Sequence, residues 1–390
     1  MDAMQDILQI FTDRILHASR TGQPLRLRGG GTKDFLGQSL QGDVLETGEY
    51  RGILSYEPSE LVITVRTGTP LAEVEAALAE KGQCFAFEPP HYGASATVGG
   101  MLACGLSGPA RASVGSVRDF VLGACVINGR GEHLTFGGQV MKNVAGYDVS
   151  RLLAGSWGQL GLITEVSLKV LPVAPGEATL VCAGVSQTQA LKLLNHWGGQ
   201  PLPLSASAWV HDSSASPAQD FLFVRLRGAV AAVDAAMNKM STDVQALGAQ
   251  ITHLNAADAC ADWSASREQT LDFFKAPGEQ DCLWRLSVPQ IAPELDVRVQ
   301  GVSCAQYIEW HGAQRWLWAP ASAAAHVRDV AVKVGGHATL FRTSAASRQT
   351  HGDVDKQAGV YTPLNVVQQR IQNELKKQFD PAGIFNPGRV

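Results

Sequence analysis

The sequence predicts an α+β protein of two domains, and three observations carry that reading. The chain has 390 residues, more than one hydrophobic core usually serves. Its 40 glycines are unevenly spread, 25 up to residue 170 and 15 after it, whereas seven of the eight tryptophans lie after residue 170. In the second region strand-like runs alternate with alanine-rich helical runs, a texture the first region lacks. Charged residues make up 17%, against roughly 25% in an average domain, which argues against a disordered or coiled-coil chain. A net charge of −4 leaves no basic surplus for a nucleic-acid partner.

Residues 2–17 place Ile7, Leu8, Ile10, Phe11 and Ile15 at helical spacing, an amphipathic opening helix. Leu25–Arg28 alternates apolar and basic residues, a short strand, and runs into Gly29-Gly30-Gly31. Leu61–Val65 is β-branched and apolar, a second strand. Thr69 then reads as an N-cap, Pro70 as the first helical residue and Gly82 as the stop, with Leu71, Val74, Leu78 and Lys81 on one face. From Gly93 to Gly161 fifteen glycines fall in 69 residues, so only short elements survive around a strand at Phe120–Ile127. Leu162–Leu171 reads as a firm strand. The break at Pro172–Gly176 is the expected boundary, giving a first domain over 1–172.

Over 177–345, strands at Ala178–Ala183, Phe221–Leu226, Cys282–Val288 and Arg315–Ala319 alternate with helices at Gln187–His196, Val230–Leu247 and Ala321–Val334. That alternation suits helices on one face of a mainly antiparallel sheet. Residues 346–360 read as a polar loop. The segment 360–390 holds a final amphipathic helix, Val366–Phe379, and the turn-rich Asn386-Pro387-Gly388.

Met1 to Asp6 is acidic where a secretory signal is basic, and no run approaches the ~18 uncharged apolar residues of a membrane span. A cytoplasmic chain is expected, at most peripheral to the inner face of the cytoplasmic membrane through a partner. The seven cysteines stand at least 20 residues apart, so no CxxC pair exists for zinc or an iron–sulfur cluster. They read as reduced, mostly buried thiols. The ten histidines form no HExxH or HxH, so no metal site is expected.

The segment Arg28-Gly29-Gly30-Gly31-Thr32-Lys33-Asp34 leaves backbone N–H groups unobstructed after a strand, with a hydroxyl and a cation following at once. That is chemistry for a diphosphate, or a tight turn between strands. It is neither a P-loop nor a Rossmann fingerprint, because Asp34 stands where the last glycine belongs. Further clusters follow at Thr97-Val98-Gly99-Gly100, at Gly105-Leu106-Ser107-Gly108, and at Gly115 with Asp119. Lys142-Asn143-Val144-Ala145-Gly146-Tyr147-Asp148 and Gly155-Ser156-Trp157-Gly158-Gln159-Leu160-Gly161 complete the set. Singly each is a structural turn; together they outline a long groove for a large, flat, anionic dinucleotide.

This order of segments resembles the FAD-binding domain of the vanillyl-alcohol oxidase / p-cresol methylhydroxylase (PCMH) family, over residues 20–172 and again at Asp380–Arg389. Lys142–Asp148, the ending Asp380–Arg389 and the short C-terminal half are most similar to the FAD-binding subunits of bacterial glycolate oxidases. The resemblance implies a two-subdomain PCMH-type FAD-binding domain, an antiparallel-sheet cap, and a C-terminal tail returning to the FAD domain. By matching position, Gly29, Gly30, Gly31 and Thr32 would hold the pyrophosphate. Pro89, Thr97, Gly99, Gly100, Gly105 and Gly108 would line the flavin and ribityl path, and Gly115, Asp119, Gly158, Gly161, Ile163 and Thr164 would continue toward the adenine. Relatives with covalent flavin often carry histidine after the paired glycines; here Gly31-Thr32 follows, which implies non-covalent FAD. Cys104 and His91 match no known attachment position.

Close relatives that oxidise 2-hydroxy acids carry a metal-binding histidine pattern in the cap that ends in a Gly-Glu-His-Gly segment near the C-terminal helix, and this chain has His351-Gly352-Asp353 instead. His311, His337, His351, Arg315 and Arg342 could supply the base and the carboxylate-binding cation such oxidation needs, or serve as structural residues. Trp310, Trp316 and Trp318 read as cap packing or a partner surface. The resemblance implies an FAD-dependent oxidoreductase acting on CH–OH groups. It would be a subunit that helps oxidise glycolate to glyoxylate, beside a larger flavoprotein subunit and an iron–sulfur subunit that leads to quinone. The alternatives are a self-sufficient FAD-dependent 2-hydroxy-acid dehydrogenase and a non-catalytic assembly subunit with weak flavin binding.

Overall fold

The computed structural model describes residues 3–138, 148–213, 217–348 and 353–389. The chain folds as two compact units. One comprises Met1–Ser107, Gly115–Val173 and Pro363–Val390; the other comprises Gly108–Val114 and Ala174–Thr362. No described helix is long and apolar enough to cross a membrane.

The first unit is built on a five-stranded antiparallel sheet in the order Ile53–Glu57, Val62–Arg66, Leu162–Lys169, Val121–Ile127, His133–Gly137. Its central strands are β-branched and apolar, and Ile63, Val65, Val126, Val166 and Leu168 are fully buried. Leu61, expected to open its strand, instead has φ 56° and ends a 3₁₀ turn by donating its N–H to the Pro58 carbonyl. Helix Leu71–Ala79 buries Leu71, Val74 and Leu78, as their spacing predicts. Thr69 does not cap it: its hydroxyl donates to the Arg66 carbonyl (2.6 Å) and accepts from the Gly52 N–H (2.8 Å), leaving Pro70 as the cap residue. Lys81 lies exposed beyond the helix end.

A second, small sheet pairs Leu25–Arg28 in parallel with Asp43–Glu46, and Phe385 bridges to Leu25. Ile384 and Phe385 share a core with Phe11, Ile15 and Ala18 of helix Ala3–Thr21 and with Leu45, Ile127 and Leu162. The C-terminal segment therefore does return to this unit. Helix Val366–Phe379 begins with an Asn365/Gln368 capping box; none of its residues is fully buried, and its last residue, Phe379, packs against Phe136.

The second unit holds one eight-stranded antiparallel sheet. Its order is Gln250–Leu254, Gly176–Ala183, Gln219–Gly228, Leu204–Asp212, Gln306–Glu309, Gln314–Pro320, Asp281–Ser287, His337–Arg342. On one face Leu180, Cys182, Leu222, Val224, Leu226 and Trp209 form a core with helices Gln187–Gly198 and Val230–Gln245. The residues alternating with these point to the other face. There Trp263 of helix Ala256–Glu268 donates to Thr179 Oγ1 (3.0 Å), with the Arg225 guanidinium over its ring. Helices thus lie on both faces, not on one. The second face mixes Val181, Ala208, Phe221 and Phe223 with Thr179 and Arg225, and helix Ala256–Glu268 covers part of it.

Gly108–Val114 corrects the expectation of an uninterrupted first domain over 1–172, because it packs in the second unit. Trp310 Nε1 donates to the Gly108 carbonyl (3.0 Å), Arg111 stacks on the Trp310 ring, and Ser113 Oγ donates to the Leu204 carbonyl (2.7 Å). Of the expected polar loop 346–360, the described part carries short helices at Ala345–Arg348 and Asp353–Lys356.

Candidate functional site

A groove in the first unit, enclosing about 820 Å³ with its open mouth included, gathers three of the glycine clusters. Gly29, Gly30, Gly31, Thr32, Thr97, Gly99, Gly100, Gly158, Gly161 and Ile163 all line it. These segments are up to 134 positions apart in the chain, and two sheets bring them together. Strand Leu25–Arg28 delivers the triple glycine, and strands Val62–Arg66 and Leu162–Lys169 present Thr67 and Ile163. Thr67 knits the floor: its Oγ1 donates to the Ile163 carbonyl (2.6 Å), its N–H to the Thr164 carbonyl (2.8 Å), and its carbonyl accepts from Gly99 (2.8 Å). Thr97 caps helix Val98–Cys104 by accepting from the Gly100 N–H (3.2 Å).

The wall at Gly29–Thr32 carries the chemistry. Among the described residues, none of these four consecutive amides donates a backbone hydrogen bond. Gly30 passes so close to the Ser95 carbonyl that a Cβ would sit 1.5 Å from its oxygen, while Ser95 Oγ donates to the Gly30 carbonyl (2.8 Å). Gly31 has φ 70°, which turns the chain back into the groove. The charged lining residues are three cations, Arg28, Lys33 and Arg389, and one carboxylate, Asp34. Asp34 is held by ion pairs to Arg26 and Arg28. Hydrogen bonds from Arg28 to Asp34 and then Glu46 hold its guanidinium above the ordinary range. The Lys33 ammonium is buried and donates to the His91 carbonyl (3.1 Å). A cationic, glycine-walled groove with unspent amides fits a diphosphate.

The other expected cofactor residues lie away from this lining. Gly105 is the left-handed C-cap of helix Val98–Cys104 at φ 66°, and Pro89 is buried. Gly115 packs against Asp119, whose carboxylate accepts from Ser116 N–H (2.8 Å) and Oγ (3.0 Å). Burial would raise the Asp119 carboxyl, but the Ser116 bonds and the charge of Arg151 outweigh it and hold it below the usual range. Thr164 Oγ1 meets His133 Nε2 at 2.9 Å, and Gly108 belongs to the second unit. Of Lys142–Asp148, only Asp148 is among the described residues.

Several lining residues were not singled out from the sequence. Asn386 bridges the groove, accepting from the Leu27 N–H (2.9 Å) and donating to the Trp157 carbonyl (2.7 Å), and Arg389 lies beside it. The resemblance over Asp380–Arg389 placed this ending on the first domain, but nothing in the sequence marked Asn386 or Arg389 as part of the groove lining. Cys104 lines the groove with its thiol pushed up to about 11 by burial, so at neutral pH it is a protonated thiol and a poor nucleophile.

The residues considered for hydroxy-acid chemistry take structural places in the second unit. His311 is buried, with Nε2 on Ser113 Oγ (2.9 Å) and Nδ1 on Ser207 Oγ (2.9 Å). Ser113 spends its proton on the Leu204 carbonyl, so Nε2 carries the hydrogen and Nδ1 accepts from Ser207. Burial lowers this imidazole to about 4, leaving it neutral. Arg315 is fully buried and forks across the carbonyls of Gly312, Pro293 and Ala292. Arg342 donates to Gln269 (2.9 Å), His337 stands at an exposed strand end, and His351 lies outside the described residues. Trp316 donates to the buried Glu309 (2.6 Å) and Trp318 to the Phe273 carbonyl (2.7 Å).

Comparison with known proteins bears on this geometry. Residues 12–137 match the family model described as an FAD binding domain. The chain is 42% identical over 385 residues to the glycolate oxidase subunit GlcE of Escherichia coli K12, covering 99% of this chain and 97% of that protein. It is 32% identical over 160 residues to the glycolate oxidase subunit GlcD of Bacillus subtilis, covering 40% of this chain and 34% of that one. In fold it superposes on alkyldihydroxyacetonephosphate synthase with a TM-score of 0.67 at 15% identity, over 97% of this chain and 74% of that chain. The chain belongs to the GlcE family of glycolate oxidase subunits, FAD-dependent oxidoreductases of the PCMH-type fold.

Proposed function

We propose that the Gly29–Thr32 groove holds FAD non-covalently, and that the chain serves as the FAD-binding subunit of a complex that oxidises glycolate to glyoxylate. The observation that carries this reading is the run of four amides with no internal acceptor, set among three cations. When bound, FAD takes up the two electrons released as a 2-hydroxy acid becomes a 2-oxo acid. The chain's own part is to bind and orient. Gly29–Thr32 would accept the pyrophosphate, Thr97 and Gly99–Gly100 would line the ribityl path, and Gly158, Gly161 and Ile163 would line the far arm. The protonated Cys104 thiol supports retention without a covalent link. Neutral His311 and carbonyl-bound Arg315 are engaged in structure, which supports placing the main hydroxy-acid site in another subunit. The proposed partners are a larger flavoprotein subunit and an iron–sulfur subunit that leads electrons to quinone, with any membrane contact peripheral and made through them.

Purification of the full chain and titration with FAD test the proposal. It predicts a yellow protein whose flavin is released into the supernatant by acid. Anaerobic glycolate or D-lactate should bleach the flavin only when the partner subunits are present. Bleaching by the isolated chain would point to a self-sufficient dehydrogenase, and a chain that takes up no FAD would point to a non-catalytic assembly subunit.

A further inference from the structure

We propose that Arg389 is a positioning residue for the cofactor: it fixes the far end of the Gly29–Thr32 loop so that the loop's amides stay aimed into the groove. The inference rests on the FAD reading above and adds a device to it. Its guanidinium is buried, with 6% of the residue exposed. Nη1 donates to the Gln38 carbonyl (2.6 Å), and Nη2 reaches the carbonyls of Lys33 (3.3 Å) and Asp34 (3.2 Å). Its main chain closes the same stretch, since the Gln38 N–H donates to the Arg389 carbonyl (3.1 Å). The guanidinium also lies over the Trp157 ring, 5.7 Å from its centroid.

The geometry makes the glycine run a span between two anchors. Before it, Leu25–Arg28 is locked into the parallel pair with Asp43–Glu46. After it, residues 33–38 are held by a side chain 356 positions away from Lys33. Glycine loses more backbone freedom on ordering than any other residue, so an unanchored triple glycine would have to be ordered by the cofactor itself. Anchoring the span beforehand moves that cost into folding and raises affinity. A planar fork suits three carbonyls on two sides; a lysine's point charge does not.

The test uses the full chain and measures FAD affinity and release rate by flavin fluorescence, with melting of the FAD-free forms alongside. Arg389→Ala should weaken FAD binding by about tenfold or more through faster release, which is about 1.4 kcal/mol. Its FAD-free form should remain folded, Arg389→Lys should recover only part of the affinity, and millimolar guanidinium should restore binding to Arg389→Ala. Wild-type affinity in Arg389→Ala would overturn the proposal. So would a loss accompanied by lowered FAD-free melting and no guanidinium rescue, the signature of a purely structural role. If Arg389→Ala fails to fold, Arg389→Lys decides, and wild-type affinity in that variant is the negative result. Failure of the FAD reading is distinct, because the wild-type chain would then take up no flavin at all.

Discussion

At the residue scale, two positions concentrate the argument. Gly30 tolerates no side chain, because the space a Cβ needs is filled by the Ser95 carbonyl. Gly30→Val should therefore abolish FAD uptake while the chain remains folded; full occupancy in an FAD titration would refute the groove assignment. His311 illustrates the opposite outcome, a titratable group drawn into structure. Its pKa falls from 6.5 to about 4 on folding, so below pH 6.5 the unfolded chain binds a proton that the folded chain refuses. Stability is full above pH 6.5 and declines as pH drops toward 4, by about 3 kcal/mol at about 1.36 kcal/mol per pKa unit. His311→Gln should remove that acid limb, read as the difference between urea midpoints at pH 7 and pH 4.5. A histidine on a strand-rich stretch does not declare which role it has. Only the convergence of Ser113 and Ser207 on its two nitrogens decides it.

At the element scale, local chemistry was largely legible. The apolar spacing of Leu71, Val74 and Leu78 and the β-branched runs around Ile63 and Val166 produced the helix and strands expected of them. Boundaries were less so, as Thr69 shows: its cap-forming hydroxyl is captured by Arg66 and Gly52 across a turn that propensity does not see. Strands such as Leu204–Asp212, rich in small and polar residues, escaped notice because sheet neighbours rather than propensity hold them. Among the described residues, Thr97 is the one helix cap in the groove lining. Thr97→Val keeps its shape and removes the acceptor for the Gly100 amide, so it should cost about 1 kcal/mol, measured by urea unfolding of the FAD-free chain. An unchanged midpoint would mean the seven-residue helix is held by packing alone.

At the scale of the whole molecule, two units with separate cores share one chain that crosses between them more than once. The groove belongs wholly to the first unit. FAD at about 100 times its dissociation constant should stabilise that unit by about 2.7 kcal/mol. Hydrogen exchange should report this as slower exchange in Leu25–Arg28, Val62–Arg66 and Leu162–Lys169, with the strands of the second unit unchanged; equal protection of both sheets would contradict it. The sequence by itself determined where backbone comes close to something. Glycine clusters are local, and a missing Cβ or a positive φ is a property of one residue and its neighbours. Only the tertiary structure decided which clusters share a wall, that Gly108–Val114 joins the second unit, and that Arg389 braces a loop hundreds of residues earlier. Those outcomes are contacts between distant parts of the chain, set by how the sheets bring the ends together rather than by any residue's own preference.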